Sequence, residues 1–154
     1  MIVSATPGLI DAMVSAARAS SALAGVTVYD GPGISDDPGD FLMIGVDDPD
    51  EHRRTHAAEA SQTWANRTDR DESGDITCAA VSSNGDADQK AARDAVYAMA
   101  RGLADLCRPP NDPSFGVAGV LWTSYGTQSF LSQAQDSRGA GAQLIFTIHY
   151  RARL

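Results

Sequence analysis

The chain closes on QLIFTIHYRARL, in which Leu144, Phe146, Ile148 and Tyr150 alternate with Thr147, His149, Arg151 and Arg153. Period-two alternation puts the two sets on opposite faces of a β-strand. Such a strand needs neighbours along its edges and a covering layer on its apolar side, which can be supplied by helices packed against one face of a sheet.

Two stretches have helical spacing. In residues 86–108, Ala92, Val96, Met99, Leu103 and Leu106 recur at intervals of four, three, four and three, a single stripe along a helix of about six turns. Asp86 or Asp88 suits its N-terminus, Arg101 and Arg108 its C-terminal half, and Pro109-Pro110 stops it. At the N-terminus, Thr6 reads as a cap with Pro7 in the first turn. Leu9, Met13, Ala16 or Ala17, and Ser20 form a weaker stripe that should end near Leu23, with Gly25 as its stop.

The remaining apolar runs read as strands. VTVYDG (26–31) is β-branched and closes on Gly-Pro-Gly, while DFLMIGVDD (40–48) is nearly continuous, as in a strand buried on both faces. Between them GPGISDDPGD carries turn residues. Residues 57–66 and 73–85 add two strands joined by RTDRDESGD, the second supported by alternation of Ile76, Cys78 and Ala80. A further strand lies near 117–125, bent at Gly126, and RGAGAQ (138–143) reads as a turn. The expectation is an α+β fold in the order α-β-β-β-β-α-β-β, with a mixed or mostly antiparallel sheet and two helices packed on one face. With no repeat or linker, residues 1–154 are read as one domain.

Charge narrows the function. The formal net charge is −8 with a pI near 4.6, and the acid lies mostly between Asp30 and Asp75. A dedicated reader of duplex nucleic acid usually carries a basic face, so the charge argues against that class, without excluding passing contact with DNA. Only Glu51, Glu59 and Glu72 among the acids are Glu, and Lys90 is the sole Lys, a bias that reads first as a GC-rich coding genome. The N-terminus lacks the basic start and long apolar core of a secretory signal, and no run approaches the ~20 apolar residues that span a bilayer. The expectation is a soluble protein with no membrane partner.

Each candidate for chemistry meets a simpler reading. Asp69, Asp71, Ser73, Gly74, Asp75 and Ile76 match an EF-hand calcium loop, but Ala80 stands where the bidentate Glu belongs and the flanks read as strands. A hairpin turn accounts for the same residues. His52 and His56 have zinc spacing beside Glu51, yet Arg53 and Arg54 put positive charge there and the general-base Glu of a zincin is missing. Cys78 and Cys107 belong to no ligand motif and read as buried free thiols. His149 lies opposite the apolar stripe with no Gly-x-Ser-x-Gly elbow to serve it, so it reads as an exposed or interface residue. GPGISDDPG lacks the Lys and following helix of a phosphate loop, and its acids would repel phosphate; it reads as a turn and not a pocket. No catalytic, cofactor-binding or metal residue is assigned, and no cofactor is expected. Trp122 reads as core and Trp64 as an interface residue.

Four segments carry a family resemblance across nearly the whole chain. They are the first helix ending in AGVTVYDGPG, then DFLMIGVDDPDE, the long helix running into LCRPP, and the closing LIFTIHYRARL. In order, length and style they resemble the tail terminator proteins of long-tailed actinobacteriophages, within the broader tail-completion family. The resemblance implies a non-enzymatic virion protein of the head–tail junction, assembled in the host cytoplasm as a homo-hexameric ring. Such a ring caps the tail tube, stops its polymerisation and meets head-completion or connector proteins, and DNA passes through its lumen. A ring needs two different faces per subunit and no pocket. Loops 47–56 and 67–75 are the natural docking surfaces, and Arg53, Arg54, Trp64, Arg67, Arg151 and Arg153 are the interface candidates. A neck or minor tail component is the neighbouring alternative, and a small hydrolase or ligand-binding domain using His149 or Cys78 is the distant one.

Overall fold

The computed structural model describes residues 2–33, 38–47 and 56–154. In chain order these contain α1 (Thr6–Ala19), β1 (Thr27–Asp30), β2 (Gly39–Ile44), β3 (Ala58–Trp64), β4 (Arg70–Asn84), α2 (Gln89–Leu106), β5 (Val120–Asp136) and β6 (Gly139–Arg153). The six strands form one sheet in the order β1-β2-β4-β6-β5, with β3 also paired to β4. All pairings are antiparallel except β1 with β2. The α+β class and the element order are those that the hydrophobic periods imply.

β4 and β6 form the spine, paired from Asp71 opposite Arg153 to Asn84 opposite Ala140. Along its other edge β4 serves two short strands in turn, β3 from Arg70 to Ile76 and β2 from Cys78 to Ser83. The change of partner falls at Thr77, whose N–H donates to the Ala57 carbonyl at 2.9 Å. Its own carbonyl accepts from Gly45 and Val46. No backbone group of Thr77 is left unpaired at the junction, which is what an interior strand requires.

Alternation then sorts the side chains. Ile76, Cys78 and Ala80 of β4, with Leu144, Phe146, Ile148 and Tyr150 of β6, face the helices and are fully or almost fully buried. Against them pack Leu9, Met13, Val14 and Ala17 of α1 and Ala92, Val96, Met99 and Leu103 of α2. Asp88 caps α2 by accepting from the Ala91 N–H at 3.0 Å. This helix, at 18 residues, is shorter than the six turns its stripe suggested.

The start of α1 departs from expectation. Thr6 is the first helical residue, and the N-cap, Ala5, makes no side-chain bond. The anion at this helix end comes from the sheet. Glu72 on β4 is fully buried and accepts from the Ala5 N–H at 2.9 Å, the Tyr150 hydroxyl at 2.8 Å, the Ser4 hydroxyl at 3.0 Å and the Gln62 amide. Thr6 turns its hydroxyl to Tyr150, 2.6 Å away. At its other end α1 gives way to a 3-10 turn over Ser21–Leu23, and Gly25 follows at φ +82°, the left-handed conformation expected of a stop.

Other boundaries moved further. β5 begins at Val120 and runs on to Asp136, well past the expected end at 125, with register shifts between Val120 and Trp122 and between Tyr125 and Ser129. Gly126 lies inside the second irregularity, so the bend was placed correctly but the strand continues through it. Residues 138–143 are mostly the first residues of β6 rather than a turn. The β3–β4 turn is likewise confined to residues 65–69, and Asp71, Ser73, Gly74 and Asp75 are strand. β2 is not buried on both faces, since Phe41 and Met43 on its far side remain partly exposed.

Candidate interaction surface

No helix among the described residues packs on the sheet's second face. One end of it is apolar: Val46, Ala79 and Ile145 are buried together, with Met43 and Phe130 against them. The other end is a ladder of charge built by register. Asp71 stands opposite Arg153, Ser73 opposite Arg151, and Asp75 opposite His149. Asp71 accepts from the Arg153 guanidinium and has Arg151 at 3.7 Å. The Arg153 bond, aided by the charge of both arginines and opposed by partial burial, holds the Asp71 carboxyl below its ordinary value. Trp122 joins this end, its ring 5.4 Å from that of His149. At 38% exposure Trp122 is an outer-face residue and not the core residue expected, because the β5 irregularity aligns it with Arg151.

The ladder contains a Ser–His–Asp order. His149 Nδ1 lies 3.0 Å from Asp75 Oδ1, and His149 Nε2 lies 3.4 Å from Ser73 Oγ. Acyl transfer also needs donors aimed at a developing oxyanion. Ser73 and Asp75 sit in the middle of an interior strand with partners on both edges, Ser61 and Glu59 on one side, Arg151 and His149 on the other. Their backbone N–H groups are committed to the ladder. The order is that of a triad; the setting is that of a cross-strand polar cluster.

At the same end of the sheet, toward the helix side, Trp64 ends β3 opposite Arg70 and is 71% exposed. The Arg70 guanidinium lies 5.9 Å from its ring centre, and Arg70 also donates to the Ile2 carbonyl at 3.0 Å. Gln62 donates to Val3 at 2.7 Å. The first residues are thus tied along the β3–β4 hairpin, with Ile2 and Val3 exposed beside Trp64. A shallow hollow of about 550 Å³ lies among Ile2, Trp64, Arg70, Arg153 and Leu154.

A second hollow, of about 660 Å³, opens at the far end of the outer face. Tyr29 and Phe41, stacked with ring centres 6.0 Å apart, wall it with Met43, Val46 and Val81, and Pro32, Gly33 and Pro38 contribute to its rim. Sequence reasoning took the segment after Tyr29 for a turn and nothing more, yet its two ends border a concavity. Gln143 also lines the hollow, and its Nε2 is enclosed with no hydrogen-bond partner. Turn residues signal chain reversal and carry no information about what the flanking strands enclose.

The calcium-loop motif does not assemble. Asp69 is held in the hairpin turn by Asn66 and Thr68, whereas Asp71 and Asp75 project from one face of β4 and Gly74 and Ile76 from the other, so they cannot wrap an ion. No three His, Cys, Asp or Glu groups converge among the described residues. Glu51, His52, Arg53 and Arg54 lie outside those residues. Cys78 and Cys107 are buried free thiols, and burial pushes both upward from the ordinary cysteine value. No helix among the described residues is long and apolar enough to cross a membrane.

Of the interface candidates that are described, Arg151 and Arg153 come together on Asp71. Trp64 and Arg153 border one hollow, and Arg67 is exposed in the hairpin turn. No protein-family model matches the chain, and no curated protein matches it. A solved structure does: a chain of the virion of a native gene transfer agent particle, at 10% identity and a TM-score of 0.64 over 99% of this chain and 100% of that one. At that identity the likeness establishes the fold.

Proposed function

We propose that this chain is a virion structural protein of tail-terminator type. In this reading it is one subunit of a homo-hexameric ring that caps the tail tube, ends its polymerisation and joins tail to head. The observation that carries the reading is the end-to-end correspondence of fold with a chain of a gene transfer agent particle, a phage-like virion, alongside the resemblance of the segments quoted above. The whole chain, read as one domain, is the ring-forming unit. Its partners are the tail tube protein on one side and a head-completion or connector protein on the other, and its place is the head–tail junction of a virion assembled in the host cytoplasm.

The physics agrees with such a role. A subunit of a closed ring meets its neighbours through two different patches, and this sheet has an apolar hollow at one end and an arginine-lined, aromatic end at the other. The net charge of −8 discourages DNA from adhering, as passage through a lumen requires. A neck component is the alternative, and it would assemble only with its partner.

The test is tube growth in vitro. Purified tube protein from the same particle is polymerised with and without this chain, and tube lengths are measured by negative-stain microscopy. A terminator added at substoichiometric amounts shortens the tubes and appears as a cap at one end. Unchanged lengths with no bound chain overturn the assignment.

A further inference from the structure

We infer that neighbouring copies join edge to edge into one continuous sheet, with β5 of one copy pairing antiparallel to β3 of the next. This rests on the ring reading and specifies the contact between its subunits.

At the end of the sheet that carries the charge ladder, the strands lie in the order β3-β4-β6-β5 and form a level block. Ser61 stands opposite Ser73, Ser73 opposite Arg151, and Arg151 opposite Trp122. One row along, Ala60, Gly74, Tyr150 and Thr123 align in the same way. The outer two strands of the block, β3 and β5, each pair along one edge only among the described residues.

The phase of the ladder says which groups the free edges present. Arg70 and Leu154 exchange both backbone bonds, at 2.9 and 2.8 Å, and the Thr77 N–H donates to the Ala57 carbonyl. Bonds alternate along an antiparallel pair, so Asp71, Ser73 and Asp75 turn their backbone groups toward β3, and Glu72, Gly74 and Ile76 turn theirs toward β6. Carried outward, the alternation leaves the N–H and C=O of Ala58, Ala60, Gln62 and Trp64 on β3, and of Thr123 and Tyr125 on β5, pointing away from the sheet. None of these outward groups meets a backbone partner among the described residues. Both sets carry their side chains on the helix face, where Gln62 reaches Glu72 and Thr123 shares the row of Tyr150. Residues directly opposite in an antiparallel pair share a face, so joining these edges keeps the helices of adjacent copies on one side of a common sheet.

Direction and charge agree. β4 runs against β3 and β6, and β5 runs against β6, so β3 and β5 point opposite ways within a copy. Rotation about an axis lying along the strands preserves those directions, and β5 then meets the next β3 in the antiparallel sense of the rest of the block. On the outer face, acid lies toward the β3 edge, as Glu59 on β3 with Asp71 and Asp75 on β4, and base toward the β5 edge, as His149, Arg151 and Arg153 on β6. Pairing β5 with β3 sets base near acid across the join. Pairing β5 with β5, or β3 with β3, sets like charges near each other.

β5 also lacks the devices that keep an edge strand single, which include charge, proline and short length. It is 17 residues long, and no Asp, Glu, Lys, Arg or Pro occurs between residues 114 and 135. Its two irregularities bracket the regular run from Trp122 to Tyr125 that faces the join. By contrast the edge strand β1 has four residues, and the Arg18 guanidinium donates to its Val28 carbonyl at 3.0 Å.

The experiment follows mass and amide exchange together. Light scattering over a concentration series gives the mass, and hydrogen exchange read by mass spectrometry gives the protection of residues 58–64 and 121–125 at each concentration. Wild type should rise toward about six times the monomer mass, with exchange in both segments slowing in step. Ala60→Pro removes an outward N–H at an edge position that leaves the monomer's own ladder intact, and it should stay monomeric where wild type is assembled. Should Ala60→Pro not fold, the wild-type exchange decides alone. Wild type monomeric at every concentration, Ala60→Pro assembling as wild type does, or slowing confined to one segment overturns the pairing. A mass that stops at twice the monomer with only 121–125 protected identifies a β5–β5 dimer in its place. Tube capping, read separately by length, tells whether the terminator assignment fails with it.

Discussion

Glu72 ties four parts of the chain together at one carboxylate: the first residues through Ser4 and Ala5, β3 through Gln62, β6 through Tyr150, and β4 itself. Burial alone would push this carboxyl up, but the four hydrogen bonds outweigh it and hold the group below its ordinary value. A carboxyl with a depressed folded-state pKa stabilises the fold above its unfolded value, about 4.3, and that contribution is lost as pH falls through the folded value. Denaturant titrations from pH 6 down to pH 3 should therefore show stability falling with acid, with a shallower fall in Glu72→Gln. Glu72→Ala strands several donors and should cost about 3 kcal/mol at neutral pH by the same titration. Tyr150 has the opposite sign. Burial, reinforced by the neighbouring carboxylate, pushes its hydroxyl up to about 12, so its contribution is present at neutral pH and lost only as pH rises toward that value. The ring of Tyr150 also explains Gly74, where an added Cβ would sit 2.7 Å from Tyr150 Cε1 and 2.6 Å from the Glu59 carbonyl. Nothing local in the sequence points to this cluster, because Ser4, Glu72 and Tyr150 meet only through the sheet register.

At the scale of elements, what was legible followed from one-sided burial. α2 and the closing strand each bury one stripe against the other layer, and their residues could be read directly. The polar run Arg70–Asp75 looked like loop because its outer face is charged and its inner face holds Glu72 and Gly74 in place of aliphatic side chains, so the strand shows no alternation until Ile76. β5 was cut short for a related reason: its irregularity after Tyr125 shifts the register and breaks the period. That irregularity is itself specific. A Cβ on Gly126 would lie 2.1 Å from Thr147 Oγ1, itself on the nearly buried Thr147. Gly126→Val should destabilise by about 1–3 kcal/mol through overpacking, measured as a lowered denaturation midpoint, and Thr147→Ala in the same chain should recover part of the loss. Asp88→Ala, which removes the one capping bond that the sequence located, should cost about 1 kcal/mol in the same assay.

For the whole molecule, the decisive feature is that the described helices cover only one face of the sheet. Met43 and Phe130 beside the second-face cluster, the adjoining hollow and Trp64 stay at least partly open in the single chain; Trp64 was read from the sequence as an interface residue, whereas the hollow was invisible to a reading that treats each segment alone. If a second copy covers them, folding and assembly are linked by mass action, since the partner binds the folded chain and not the unfolded one. Above the association midpoint each tenfold rise in protein concentration adds about 1.4 kcal/mol per contact, which for a chain of this length raises the melting temperature by roughly 3–5 °C. Differential scanning over a hundredfold range of concentration should therefore move the transition upward. A wild-type transition that stays fixed across the range would mean that the open face is stable in water without a second copy.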